Sequence, residues 1–153
     1  MSDNAPLLKL AAIDEDDLAV ISAHVQDAVL KVGDMVYLPK QNRFALAMNR
    51  FSWENAADRA NAFERHRAAL VFDRVRSVRV AGIDRAKPDA VLELLAVRFL
   101  PGDAPDGTIE MCFAGGAGIR IDVECIETRL ADLGAAWATG KRPWHAVDGQ
   151  DDT

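Results

Sequence analysis

The stretch "TIEMCFAGGAGIRIDV", Thr108 to Val123, narrows the fold more than any other part of the chain. Ile109, Met111 and Phe113 alternate with other residues before three closely spaced glycines, Gly115, Gly116 and Gly118. Ile119, Ile121 and Val123 alternate after them, with Arg120 and Asp122 in between. A period of two belongs to a strand with one buried face. Glycine supplies the positive φ that tight hairpin turns demand. The stretch therefore predicts a hairpin.

A phosphate-cradling loop has a different requirement. A helix must begin directly behind the glycines, so that its free N–H groups and dipole hold the anion. Here a β-branched, alternating run follows instead, and the spacing fits neither G-x-G-x-x-G nor G-x-x-x-x-G-K-[ST]. The nucleotide-binding classes built on those loops drop out. An anion-binding backbone nest is the one functional reading left to the glycines.

The rest of the chain has the same strand-rich character. "LLKLAAI" reads as a short strand. "DEDDLAVISAHVQDAV" reads as a helix capped by Asp14, with Glu15, Asp16 and Asp17 at the positive end of its dipole and Leu18, Ile21, Val25 and Ala28 on its core face. "VLKVGDMVYLP" reads as one strand, or two around Gly33-Asp34. In "RFALAMNRFSW" the large residues move from the parity of Phe44, Leu46 and Met48 to that of Phe51 and Trp53, which predicts a bulge near Asn49 and Arg50.

"ENAADRANAFERH" has no clean stripe and reads as a loop with at most one helical turn. A bend or tight turn is expected between Asp73 and Arg76. "AVLELLAVRFL" is apolar on both parities, as a central strand covered on both faces would be. "ECIETRLADLGAAW" reads as a closing amphipathic helix with Ile126, Leu130, Leu133 and Trp137 on one side, or one ended by Gly134. Residues 1–6 and 139–153 read as mobile tails of a single domain covering residues 1–153.

A run of strands with helices at its ends implies an α+β fold. The form expected is a strongly bent antiparallel sheet or small split barrel, pleckstrin-homology-like, with an N-terminal helix and a closing C-terminal helix.

Charge and composition limit the function. The chain has 153 residues and a net charge of −6, so nucleic acid and anionic membranes are poor partners for the whole molecule. No apolar run is long enough to cross a bilayer, and the acidic start lacks the basic lead of a signal peptide, so a cytoplasmic location is expected. The two cysteines, Cys112 and Cys125, lack metal or redox spacing and read as reduced thiols, Cys125 the more buried. No serine lies in a nucleophile elbow. His24, one position off the helix stripe, reads as a helix-surface residue. No cofactor and no metal are expected.

One regional feature stands out. From Arg59 to Lys87 there are eight basic residues against three acids, a local +5 that leaves −11 for the remainder. Seven of the eight are arginine, which suits bidentate contact with phosphate or carboxylate. Arg65, Arg67, Arg74, Arg76 and Arg79, together with Trp53 as an aromatic anchor, form the candidate binding set. The competing reading pairs these arginines with the acids of the same molecule or of a second subunit, and packs Trp53 in the core. Asp122, Glu124 and Glu127 form a candidate carboxylate cluster for an enzyme. They serve equally as the charged start of a helix.

The segments "LKLAAIDEDDLAVISAHVQDAVLKVGDMVYLP", "RFALAMNRFSWE", "FDRV" and "FAGGAGIRIDVECIETRLADLG" resemble a bacterial family, the domain of unknown function numbered 2948, across Leu8 to His145. The resemblance implies a small bacterial cytosolic protein and brings no activity, cofactor or catalytic residue. The expectation is a non-enzymatic binding or adaptor module for an unknown protein or anionic ligand. The alternatives are a small-molecule enzyme using the carboxylates, or a homo-oligomer joined through sheet edges.

Overall fold

A computed structural model of the chain describes residues 7–51 and 65–134. These form one α-helix and a ten-stranded sheet: β1 (Lys9–Ala12), α1 (Glu15–Val25), β2 (Val29–Lys31), β3 (Met35–Leu38), β4 (Arg43–Phe51), β5 (Arg65–Phe72), β6 (Val75–Ala81), β7 (Val91–Pro101), β8 (Gly107–Phe113), β9 (Gly118–Val123) and β10 (Thr128–Asp132). Every pairing is antiparallel, in the order β1-β10-β5-β4-β2-β7-β8-β9-β6, with β3 attached to β4. The architecture is α+β.

The sheet bends because it must enclose one core from both ends of that path. Phe44, Leu46, Leu70, Phe72 and Leu130 from one half share a single apolar cluster with Leu94, Ile109, Met111, Ile119 and Ile121 from the other. The halves meet along β7 and at the corner around Arg74. Strand β7 pairs with β2 through Val91 to Glu93 and with β8 from Leu94 onward. The chain also crosses from β5 to β6 beside the return from β9 to β10. There the Asp73 amide donates to the Glu127 carbonyl at 2.9 Å and the Glu124 amide to the Arg74 carbonyl at 2.9 Å. Arg74, at φ 61°, makes the bend expected between Asp73 and Arg76. The pairing path itself stays open, with β1 and β6 as its ends, so hydrogen-bonded strand pairing does not close a barrel among the described residues.

Helix α1 forms where its capping chemistry places it. The Asp14 carboxylate accepts from the Asp17 amide at 2.8 Å, satisfying an orphan donor of the first turn. Leu18, Ile21 and Val25 are buried, and the stripe packs chiefly on β7 and β1. The glycine stretch is a hairpin from β8 to β9. Gly115 and Gly116 take φ of 84° and 87°, and the Phe113 amide closes the turn on the Ala117 carbonyl at 2.9 Å. No helix stands behind the glycines.

Three expectations are corrected. Strand β4 has no bulge at Asn49 and Arg50; it pairs with β5 without a shift from Phe44↔Phe72 to Phe51↔Arg65. The parity never changes, because Arg50 itself takes the inward slot after Phe44, Leu46 and Met48, and is 1% exposed. Strand β7 is not covered on both faces, since Val91, Leu95 and Leu100 are exposed. Its apolar residues on both parities reflect an irregularity between Leu94 and Ala96 and an apolar outer surface.

The closing helix is the third. Thr128–Asp132 is a strand held between β1 and β5, with Thr128, Leu130 and Asp132 buried. Leu130 lies on the predicted stripe, but long-range pairing overrides a pattern equally readable at period two. Only the end of that expected helix, Ala135 to Trp137, lies outside the described residues, as do Trp53, the polar loop before Arg65 and both tails.

Candidate functional site

The five candidate arginines are spread along two strands and the corner between them. Arg65 opens β5, with its guanidinium 5.9 Å from the centroid of the Phe51 ring, its cross-strand neighbour. Arg67 Nη2 donates to the buried Asp34 carboxylate at 3.0 Å. Arg74 Nε meets Glu127 Oε1 at 3.1 Å across the corner, and that carboxylate pushes the Arg74 guanidinium pKa upward. On β6, Arg76 Nη1 lies 3.3 Å from Asp106 Oδ2, and Arg79 Nη2 lies 3.3 Å from Asp122 Oδ1. Four of the five thus hold carboxylates of their own chain. Trp53 lies outside the described residues, so the set is not seen converging on it.

Strand register assembles a different group. Across the outward face of β7, β8, β9 and β6, Arg98 stands opposite Glu110, Glu110 opposite Arg120, and Arg120 opposite Arg79. Arg98 Nη2 donates to Glu110 Oε1 at 2.7 Å and Arg120 Nε to Glu110 Oε2 at 3.2 Å. The arginine side chains are 62%, 54% and 61% exposed for Arg98, Arg120 and Arg79, while Glu110 is 16% exposed. The row is a ridge of guanidinium groups over one sunken carboxylate. The hydrogen bond from Arg98, aided by Arg120, holds the Glu110 carboxyl below its ordinary range against the cost of burial.

Two guanidinium groups directly opposite each other, Arg120 and Arg79, repel. They are tolerated because each also has a carboxylate in reach, Glu110 on β8 for Arg120 and Asp122 on β9 for Arg79. Arg98 and Arg120 are not among the sequence candidates, yet for Arg120 a signal is present. A hairpin turning at Gly115-Gly116 places Glu110 against Arg120 by counting back from the turn.

The three candidate carboxylates do not form a cluster. Asp122 faces outward on β9 and accepts from Ser77 Oγ at 2.7 Å, Thr108 Oγ1 at 2.8 Å and Arg79 Nη2 at 3.3 Å. The Ser77 hydroxyl is the largest of the influences that hold its carboxyl below the usual value. That stabilises the anion, the opposite of what a general acid near neutral pH needs. Glu124 is exposed at the corner, and Glu127 is committed to Arg74. Among the described residues no group of three or more His, Cys, Asp or Glu side chains could hold a metal ion. His24 Nδ1 lies 2.9 Å from the Val20 carbonyl of its own helix. Cys112 and Cys125 are free, and both are half-buried.

A shallow groove of about 330 Å³ lies beside the row, between Glu15, Leu18 and Ala19 of α1 and the segment Val97 to Leu100 of β7. At one end helix and strand touch, where the Val97 amide donates to Ser22 Oγ at 2.9 Å. Arg98 belongs to both the groove and the row.

No helix among the described residues is long and apolar enough to cross a membrane. No curated protein and no solved structure matches the chain. A family model described as "Protein of unknown function (DUF2948)" matches residues 8–145, and the chain, whose opening segments, glycine hairpin and β10 all fall inside that span, belongs to this family.

Proposed function

We propose that this chain is a cytoplasmic, non-enzymatic binding module whose partner is a protein presenting carboxylates to the outward face of β6, β9, β8 and β7. The row Arg98–Glu110–Arg120–Arg79 carries the reading: three exposed guanidinium groups share one face, and the carboxylate among them is largely sunk beneath it. Arginine suits such a surface, because its planar fork engages a second carboxylate while stacked beside a first. Of the five candidate arginines, Arg79 belongs to this row and Arg76 flanks it. Arg67 and Arg74 serve the fold.

A finer reading of the architecture goes with this proposal. The strands ring a common core as a split barrel, in which the covalent step from β5 to β6 joins what strand pairing leaves open. That geometry supports a fixed outer surface, as a recognition module requires.

The test is affinity capture from native cytosol with the wild-type chain and with the double variant Arg79→Glu/Arg120→Glu, read by mass spectrometry beside melting curves. The expected result is loss of a captured protein with the melting temperature nearly unchanged. Equal capture by both chains removes the reading.

A further inference from the structure

Strand β7 has two edges of unequal fate. One pairs with β8 along its length from Leu94 to Pro101. The other pairs with β2 only through Glu93, and no described strand covers it beyond that point. Along an antiparallel strand, alternate residues turn both N–H and C=O toward the same edge. The Val97 amide faces α1, so Phe99, two residues on, presents its N–H and C=O to the uncovered edge, at the groove. Unpaired edge groups beside an apolar trough form a template for an added strand.

The side chains around this edge specify what would add. In register, an added strand places alternate side chains on the two faces of the sheet. On the inner face they meet Leu18, Ala19 and Phe99, an apolar lining with Glu15 at its mouth, which admits an apolar side chain and disfavours an acidic one. On the outer face they stand beside Arg98. There the existing row already alternates in sign, from Arg98 to Glu110 to Arg120, and the next position beyond Arg98 calls for a carboxylate. A second copy of β7 does not supply one. Antiparallel self-pairing centred on Phe99 puts Arg98 opposite Leu100, and centring on Arg98 puts it opposite its own copy.

We infer that the free edge of β7 at Phe99 captures an extended segment of a partner protein in which apolar residues alternate with acidic ones. The apolar side chains enter the groove against Leu18 and Ala19, and the acids extend the charge row from Arg98. This rests on the binding-module reading above and names the segment that the module would take.

The experiment uses the full chain and labelled short peptides in which leucine alternates with glutamate, lysine or serine, read by fluorescence anisotropy and by amide hydrogen exchange. The leucine–glutamate peptide is expected to bind best and to slow exchange at the Phe99 amide. Ala19→Trp, an exposed helix position that fills the groove without touching the core, is expected to abolish binding. Arg98→Gln is expected to erase the preference for glutamate over serine.

If binding is lost in Arg79→Glu/Arg120→Glu but survives Ala19→Trp with Phe99 exchange unchanged, the peptide lies on the row alone; the edge inference falls and the module reading stands. Equal binding of all three peptides, or of none, overturns the inference. So does light scattering that shows a wild-type dimer broken by Ala19→Trp, which would make a second copy the occupant.

Discussion

The Arg50 guanidinium holds the Asp132 carboxylate by two nearly equal bonds, Nε to Oδ1 at 2.8 Å and Nη2 to Oδ2 at 2.9 Å, with both side chains almost fully buried. Residues 82 positions apart are thereby joined across β5, which lies between their strands. The Leu8 amide donates to the same carboxylate at 3.1 Å, and the Asp132 amide donates back to the Leu8 carbonyl at 2.9 Å. One buried ion pair therefore fixes β4, β10 and the approach to β1. Removing one partner leaves the other charge buried without its counterpart, which costs about 3–5 kcal/mol. Arg50→Met and Asp132→Asn are each expected to lower stability on that scale in urea denaturation. The double variant Arg50→Met/Asp132→Asn is expected to lose much less than the two losses added together, because no uncompensated charge remains.

The same pair shows where the sequence was legible. Hairpins, the capped helix and the bend at Arg74 follow from local rules, since a period, a cap or a turn residue lies within a few positions. Arg50 at an inward slot does not, because its ion-pair partner Asp132 is 82 positions away and no local signal links them. The apparent change of parity in β4 came from that arginine. The helix expected over "ECIETRLADLGAAW" gives way to strand at Thr128–Asp132 for the same reason: Leu130 fits both periods, and the choice is made by β1 and β5, which are distant in sequence. The arginine row was half legible, through the hairpin count that opposes Glu110 and Arg120. Arg98 needed the register of β7.

Asp122 makes acid stability sensitive to a single hydroxyl. Its carboxyl is held below the ordinary value, first by Ser77 and then by Thr108 and Arg79. A carboxylate with a depressed folded pKa contributes stability that is present above its unfolded value of about 3.9 and is lost as pH falls through the folded value. Ser77→Ala removes the leading contribution, so the Asp122 titration followed by NMR is expected to move upward toward the ordinary value. The difference in stability between wild type and Ser77→Ala is expected to shrink as the solution is acidified below about pH 4. A difference that stays constant across the acid range would assign the Ser77 effect to packing.

Two glycines are required for different reasons, and substitutions separate them. At Gly115, φ is 84° and a Cβ would meet nothing within 4 Å, so only the left-handed backbone resists a side chain. Alanine there is expected to cost about 1–2 kcal/mol, and asparagine less, since it visits that region more readily. At Gly107 a Cβ would collide with the Phe99 ring and sit 2.7 Å from the Leu100 carbonyl oxygen. Overpacking of that kind costs about 1–3 kcal/mol, and asparagine should be worse than alanine. The reversed order of Ala and Asn at the two sites, measured by chemical denaturation, checks the assignment.

Arg67 and Arg79 look equivalent in the sequence, and the structure separates them. Arg67 Nη2 meets Asp34, whose side chain is 7% exposed, at 3.0 Å, and the Arg67 carbonyl accepts from the Leu133 amide at 2.7 Å. Arg79 is 61% exposed and shares Asp122 with two hydroxyls. Charge reversal at Arg67 sets a carboxylate beside a nearly buried one and disturbs a charge-assisted hydrogen bond, a loss of about 1–3 kcal/mol. Reversal at Arg79 breaks an exposed pair of a kind that contributes roughly 0–1 kcal/mol. Arg67→Glu is therefore expected to lower the melting temperature clearly, and Arg79→Glu hardly at all. High salt should narrow whatever difference Arg79→Glu shows and leave that of Arg67→Glu in place, because screening acts on exposed pairs far more than on buried ones. Equal melting temperatures for the two variants would place both arginines on the solvated surface and return Arg67 to the binding set.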